Sequence, residues 1–256
     1  MQEQCSLISA VLSVVCTAPE SWQTADMSTP RGARARARTE VTAAIKDEAR
    51  RQLAAEGAPR LSLRAVAREL GMVSSALYRY FPSRDDLLTA LIIDAYDALG
   101  EAAEAADARA GDMAPAQRWV AVCEAVRGWA LAHPHEYALI YGSPVPGYSA
   151  PETTIPAASR VGVLLFGIVR DAHRQRGVAR TPLPAELEPE ARRMTDDLAP
   201  DLPPEVVTAG VAAWAQLFGL VGFEVFGQFN RVVEDREEFF RHAAARLAHG
   251  VGLVFP

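Results

Sequence analysis

A group of hydroxyl, phenol and guanidinium side chains falls within residues 74–80. In a helix over these residues Leu77 and Phe81, four positions apart, face inward, which leaves Ser75, Tyr78, Arg79 and Tyr80 largely outward. Arginine can bond O6 and N7 of a guanine together, and serine can contact several bases. These residue types at this spacing favour a helix that reads base edges in DNA.

Two short helices and a tight turn must position that helix. Ser62 is a suitable N-cap for the first helix, and Gly71 lies where that helix must stop, since glycine tolerates a left-handed conformation. The second helix is expected to be capped by Ser74 or Ser75 and to run to about residue 81, just before Pro82. This pattern predicts a helix-turn-helix, which places its second helix in the DNA major groove.

The segment resembles the DNA-binding domain of the TetR family of bacterial transcriptional regulators. Gly71 and the run SSALYRYFPSRDDLL at residues 74–88 carry the resemblance. It implies that Arg79, Ser74 and Ser75 meet base edges, while Tyr78 and Tyr80 touch phosphates or thymine methyl groups. The full set of DNA contacts that it implies, with three flanking residues on the backbone, is Ser62, Arg64, Ser74, Ser75, Tyr78, Arg79, Tyr80 and Arg84.

Charge distribution agrees with a DNA-binding segment at one end of the chain. The whole chain carries a formal charge of −6. Residues 31–84 hold twelve Lys and Arg residues against five Asp and Glu residues, or +7, which leaves −13 for the rest. Such asymmetry suggests a head that faces DNA on a body that repels it.

Residues 1–38 are interpreted as a disordered N-terminal extension that ends in a basic arm. The arm can follow phosphates or enter the minor groove, or it can be an ordinary solvated tail. Its arginines are Arg31, Arg34, Arg36 and Arg38. Residues 1–26 are expected to precede the native start at Met27, and the apolar run at 5–16 is too short to span a bilayer.

Composition and periodicity predict an all-α protein with two domains. A three-helix helix-turn-helix domain is expected at 39–88, with Thr39 as the cap of its first helix, and a helical ligand-binding and dimerisation domain at 89–256. A long helix at 84–108 belongs to both and can act as a lever. Residues 178–203, rich in Pro, Glu and Arg, are expected to be a mobile connection, followed by helices at 204–229 and 235–250.

The tract 214–229 is apolar on nearly all sides, so its helix must be buried on more than one side. Burial inside one subunit would explain it, and so would a homodimer interface, which is favoured because a helix-turn-helix usually reads two half-sites. The tract also resembles a TetR subgroup marked by Trp-His-Gly. Trp214 and Gly219 match that pattern, while Phe218 replaces the histidine. In the wider family, the last two helices form the dimer.

The resemblance implies that the second domain senses a small molecule, here a hydrophobic or aromatic one. For any single candidate lining residue, ordinary core is the favoured interpretation. The candidates are Trp119, Cys123, Trp129, Tyr137, Tyr141, Phe166 and Phe218. No cofactor and no metal ligand are predicted.

Three functional classes follow from these patterns. The first is a repressor that a ligand releases from a palindromic operator, and the second is an activator or ligand-independent regulator of the same fold. The third, an enzyme or ligand carrier without a DNA role, is disfavoured because the chain lacks a G-x-S-x-G, a phosphate-binding glycine loop and an H-E-x-x-H. The three cysteines imply no disulfide framework, which fits the cytoplasm, and no membrane partner is expected.

Overall fold

The computed structural model describes residues 30–253, and these contain ten α-helices and no β-strand. The prediction of an all-α protein is therefore confirmed. The expectations for residues 1–29 lie outside the described residues. The helices are α1 Pro30–Glu56, α2 Leu63–Glu69, α3 Ser74–Leu77, α4 Arg84–Ala110, α5 Pro115–Ala132, α6 Pro134–Tyr141, α7 Ile155–Gln175, α8 Glu188–Leu198, α9 Pro204–Val225 and α10 Arg236–Gly250.

The first three helices and the start of α4 form a small head with its own hydrophobic core. Ile45 of α1, Val66 of α2 and Leu77 of α3 are fully buried there. The helices α5 to α10 and the rest of α4 enclose a second, larger core in the body. Along α4 the change from one core to the other falls between Leu91 and Ala95. One continuous helix thus links head and body.

Helix α1 begins earlier than the sequence suggested. It starts at Pro30, nine residues before Thr39, so the predicted cap at Thr39 is wrong, and so is the predicted disorder for residues 30–38. The Thr39 hydroxyl instead donates to the carbonyl of Ala35, one turn back inside the helix. Proline suits a first helical position, and the alternating alanines and arginines after it are good helix formers. Capping residues also occur within helices, which is why Thr39 misled the prediction.

The segment 178–203 contains a helix, so its interpretation as a mobile connection throughout is wrong. Helix α8 occupies Glu188–Leu198, buries Ala191 and Thr195, and packs against α9. Pro189 lies in its first turn, where the missing N–H breaks no helical hydrogen bond. The prolines of this segment suggested a loop, whereas Pro189 lies at the start of a helix.

Two helical stretches, Glu152–Gln175 and Pro204–Val225, are long and apolar enough by composition to cross a membrane. Both contribute to the body core, where Ile168 and Leu217 are fully buried. Core packing explains the apolar residues on the inner side of each helix.

Candidate nucleic-acid interface

The helix-turn-helix is built by the local signals that its sequence contains. The Ser62 hydroxyl accepts a hydrogen bond from the Ala65 amide at 3.4 Å and caps α2. Gly71 adopts a φ of +63°, which a residue with a side chain rarely adopts. The Met72 amide then donates to the carbonyl of Ala67 at 2.8 Å and closes the turn. The predicted cap at Ser62 and the predicted glycine turn are both confirmed.

The recognition helix α3 starts one residue earlier than a serine cap would allow. Val73 is its N-cap, with extended backbone and no side-chain hydrogen bond, so the predicted caps at Ser74 and Ser75 are wrong. Both serines already lie in the first helical turn and are exposed. The chain continues in a tighter turn, in which the Tyr80 amide donates to the carbonyl of Leu77 at 2.8 Å. Helical geometry is therefore kept nearly to the predicted end.

One face of α3 and of the turn after it points into solvent. Ser74, Ser75 and Arg79 are exposed, and Tyr78 keeps 42% of its surface accessible. Val73 is 70% exposed at the start of the same helix. Val73 was not among the predicted contacts, because an apolar side chain is more often found in the core. An exposed valine beside the two serines can contact a thymine methyl group.

Arginines of α1 lie beside this face instead of in a loose arm. The guanidinium of Arg38 donates to the carbonyl of Arg79 at 3.3 Å and lies 5.1 Å from the ring centroid of Tyr80. The Arg38 side chain thereby ties α1 to the turn that follows the recognition helix. Arg34 and Arg36 are exposed on the preceding turns of the same helix.

Arg84 has a different geometry from Arg79. Its guanidinium donates to the carbonyl of Leu61 at 3.2 Å and to that of Ala58 at 2.7 Å, and its side chain is less than one-third exposed. These two bonds join the start of α4 to the segment that leads into α2. Arg64, in contrast, is exposed on α2. Arg84 therefore stabilises the helix-turn-helix by holding these two segments together.

The seven candidate ligand residues all lie in the body core, where they form separate groups. In the first group Tyr141 stacks on Phe218 with ring centroids 4.1 Å apart, and the Tyr137 hydroxyl donates to the carbonyl of Phe218 at 2.9 Å.

A second group consists of Trp119 and Phe166, which line a narrow crevice with Trp214. The other two candidates are Trp129, which stacks on His133, and Cys123, which is fully buried.

Burial also affects the chemistry of these side chains. It raises the pKa of the Cys123 thiol far above its ordinary value, so little reactive thiolate is present at neutral pH. Burial, with a smaller contribution from Tyr148, raises the pKa of Tyr96 to about 12. The body therefore presents these groups in their neutral forms.

Head and body meet at a cluster of charged side chains. Arg50 of α1 donates to Asp94 of α4 at 2.7 Å and to Glu136 of α6 at 3.3 Å. Lys46 bonds the other oxygen of Asp94, and Thr89 shares a hydrogen bond with Tyr148. Because Glu136 of α6 bonds Arg50, a movement of α6 would directly displace α1, which supports the recognition helix α3.

Comparison with known proteins identifies the family. Residues 45–91 match the family model described as bacterial regulatory proteins, tetR family, and residues 119–247 match the tetracyclin repressor-like, C-terminal domain. The chain belongs to the TetR family. It is 41% identical over 210 residues to the HTH-type transcriptional regulators Rv1816 of Mycobacterium tuberculosis and Mb1846 of Mycobacterium bovis, covering 78% of this chain and 86% of each relative.

Solved structures agree with that assignment. The TetR-family chain is similar to a regulatory protein, SCO4313, with a TM-score of 0.71 and 33% identity, over 86% of this chain and all of that one. The TetR regulator PfmR of Thermus thermophilus shares the fold with a TM-score of 0.55 at 19% identity, over 80% of this chain and 97% of PfmR. The TetR-family chain is thus a helix-turn-helix transcriptional regulator that binds DNA, and not an enzyme.

Proposed function

We propose that this TetR-family protein is a repressor that binds a palindromic operator as a homodimer and is released by a small hydrophobic ligand. The observation that carries the proposal is the exposed face of α3, held by α1, α2 and α4 around one core. A rigid head that presents serine, tyrosine and arginine side chains is suited to the major groove.

Base recognition is assigned to the residues at the start and end of this face. Arg79 meets a guanine, and Ser74 and Ser75 contact neighbouring base edges. Tyr78, Tyr80 and Arg64 contact phosphates or sugars and set the register of the helix. For Ser62 and Arg84 the structure supports a mainly bracing role, because their polar groups already bond within the head.

The homodimer is assigned to the last two helices. The outward side of α9, together with its C-cap residue Phe226, exposes a stripe at the spacing of one helical face, whose other members are Ala212, Ala215, Gln216, Gly219 and Phe223. Phe223 is 55% exposed and meets Phe229 edge to face at 5.7 Å, and Phe229 meets Phe239 of α10 at 5.5 Å. Small residues followed by phenylalanines let a second helix approach closely. A continuous apolar surface of this kind marks an interaction site.

A symmetric dimer explains why the operator is expected to be a palindrome. A two-fold axis relates the two recognition helices, so the half-sites are inverted and lie about one DNA turn, ~34 Å, apart. The ligand acts by changing that spacing. The contacts of α6 with the body aromatics on one side and Arg50 on the other provide the link between ligand and head.

The repressor acts in the cytoplasm, where DNA is accessible and thiols stay reduced. Cys123, the one cysteine in the described part of the chain, is free and buried, as a reducing compartment allows.

A reporter assay tests the repressor proposal against an activator or a ligand-independent regulator. The promoter next to the protein's own binding site drives the reporter, in cells with and without the gene. Repression predicts higher output when the gene is deleted, and restored low output when it returns. Lower output on deletion would identify an activator instead. Output that no hydrophobic compound alters in the wild type would contradict release by such a ligand.

A further inference from the structure

The indole N–H of Trp119 is a buried donor without an acceptor. Trp119 is 1% exposed, and its Nε1 atom has no hydrogen-bond partner among residues 30–253. Buried polar groups are nearly always paired, and an indole N–H inside a protein usually finds an acceptor. An unpaired donor therefore requires an explanation.

Trp119 lines a crevice between three helices of the body. Helix α5 contributes Trp119, and α7 and α9 contribute the rest of an apolar wall. The other lining residues are Gly162, Leu165, Phe166, Gly210 and Trp214. None of the six carries a charge, and the Trp119 and Trp214 indoles supply the polar side-chain atoms. The crevice suits an uncharged, mainly apolar occupant.

The free volume is about 10 Å³, which is room for about one water-sized molecule. A buried water normally makes about three hydrogen bonds. Here it would find few polar partners, because the wall is apolar and the glycines lie within helices whose carbonyls are already bonded. Water is therefore a poor partner for the Trp119 donor.

An aromatic ring already fits against this wall. Phe166 lies so close to Gly210 that a Cβ atom on the glycine would stand 2.7 Å from the ring. The missing side chain at Gly210 makes a slot the thickness of a ring between α7 and α9. If Phe166 rotates away, a ligand ring of the same thickness can take its place beside Trp119.

We infer that this crevice is the effector site, and that it takes an uncharged single-ring aromatic compound whose one oxygen acceptor bonds the Trp119 N–H. The inference rests on the proposed function, since it names the site and the chemical class of that effector. A ring carrying a carbonyl, ether or hydroxyl oxygen satisfies both the apolar wall and the donor.

A chain of side-chain contacts connects the crevice with the DNA-binding head. Trp214 packs edge to face against Phe218 at 5.5 Å, and Phe218 stacks on Tyr141 of α6. The same short helix bears Glu136, which bonds Arg50 of α1. A ligand that displaces Trp214 or Phe166 therefore presses on packed side chains that end at the head.

A matched pair of probes tests the site on the full-length protein. Acetophenone and ethylbenzene have similar shapes, but only acetophenone carries an acceptor. Calorimetry should show acetophenone binding about 5-fold to 10-fold more tightly, the effect of one hydrogen bond. In Trp119→Phe the two affinities should become equal, whereas the control Trp129→Phe should keep the difference. Acetophenone should also shift the indole N–H resonance that Trp119→Phe removes from the ¹⁵N spectrum.

Two results would overturn the inference: neither probe binds the wild type at 1 mM, or Trp119→Phe leaves the ratio of affinities unchanged. Operator binding is measured separately on the same samples. If the protein binds acetophenone through Trp119 but stays bound to its operator, the ligand site is supported and release by this ligand is contradicted. If other compounds, and not acetophenone, release the operator, the crevice is not the effector site and the proposed function still stands.

Discussion

The arginines of the head differ in whether their side-chain donors already make hydrogen bonds within the protein. Arg79 is exposed on the recognition face, whereas Arg84 donates to two backbone carbonyls. Their sequence positions, on either side of Pro82, do not reveal this difference. Free donors can read bases, while occupied ones hold the motif together.

Replacing Arg79 should remove sequence preference. Arg79→Ala deletes the one guanidinium on the recognition face, and a bidentate guanine contact is worth roughly 1–3 kcal/mol. We expect operator affinity to fall about 10-fold or more, with little change for random DNA, in fluorescence anisotropy titrations. Arg192→Ala, at an exposed position on α8, is the matched control. Equal losses on both DNAs would contradict the assignment.

Replacing Arg84 should destabilise the head. Arg84→Ala leaves the carbonyls of Ala58 and Leu61 without their charged donor, which costs about 1–3 kcal/mol. Thermal denaturation should show a lower Tm, and DNA affinity should fall on all sequences as the motif loosens. An unchanged Tm with weaker DNA binding would show that Arg84 serves DNA phosphates instead.

Cys123 should be inert in the folded protein. Burial raises the pKa of its thiol, so at pH 8 the thiolate that reacts with iodoacetamide is scarce. Peptide mapping by mass spectrometry should find Cys123 unmodified in native protein and modified in urea. Rapid labelling of the native protein would show that the thiol is accessible and reactive, and would contradict this expectation.

Sequence identified the residues whose function is local. Ser62 and Gly71 were predicted because a cap and a left-handed turn depend on neighbours within a few positions. Val73 and the bracing role of Arg84 were not, because exposure and long-range hydrogen bonds depend on how three helices pack. The DNA contacts themselves remain predictions.

Whole elements were predicted where apolar periodicity is strong. Helices α4, α9 and α10 lie within a few residues of their expected bounds. The start of α1 and all of α8 were missed, since both are polar and contain prolines. In such segments tertiary contacts and the position of proline within the first turn decide the structure.

A charged pair that links helices of the body was likewise not predicted from the sequence. Glu224 lies in the apolar tract of α9, is 8% exposed, and accepts two bonds at 2.7 Å from Arg127 of α5. The guanidinium of Arg127 also lies 5.4 Å from the ring centroid of Phe240 in α10. The pair therefore joins three helices, including both helices of the proposed dimer interface.

Breaking this pair should cost more than breaking any surface pair. Glu224→Gln leaves the partly buried Arg127 charge without its partner, and such losses reach roughly 3–5 kcal/mol where the charge is fully buried. Urea denaturation should show a fall of at least about 2 kcal/mol in the free energy of unfolding. The control Glu237→Gln, at an exposed partner of Arg241, should change it by less than ~0.5 kcal/mol. Similar effects of the two would show that the pair is dispensable.

The molecule as a whole is a basic head on an acidic body, joined by α4 and by the Arg50 cluster. Its charge separation and its two-domain order could be predicted from sequence. Which body aromatics share a crevice could not, because Trp119, Phe166 and Trp214 come from three helices that are distant in sequence. An apolar residue type indicates the core, but it does not show whether that residue lines a ligand site or packs as ordinary core.

The assembly should depend on the stripe of α9. Phe223→Arg places a charge at the centre of an apolar surface, twice in a symmetric dimer. Sedimentation should show the dimer dissociation constant rising by about 30-fold or more, the effect of losing a central contact worth ~2 kcal/mol. Met113→Arg, at another exposed apolar residue, is the control. A dimer that survives Phe223→Arg would place the interface elsewhere.

Whether the α3 face reads a specific DNA sequence can be decided by capturing genomic fragments on the purified full-length protein and sequencing them. We expect the wild type to enrich one palindromic site at moderate salt, and Arg79→Ala to lose that enrichment. Only bulk, salt-sensitive binding that the two proteins share would show that this face reads no specific sequence.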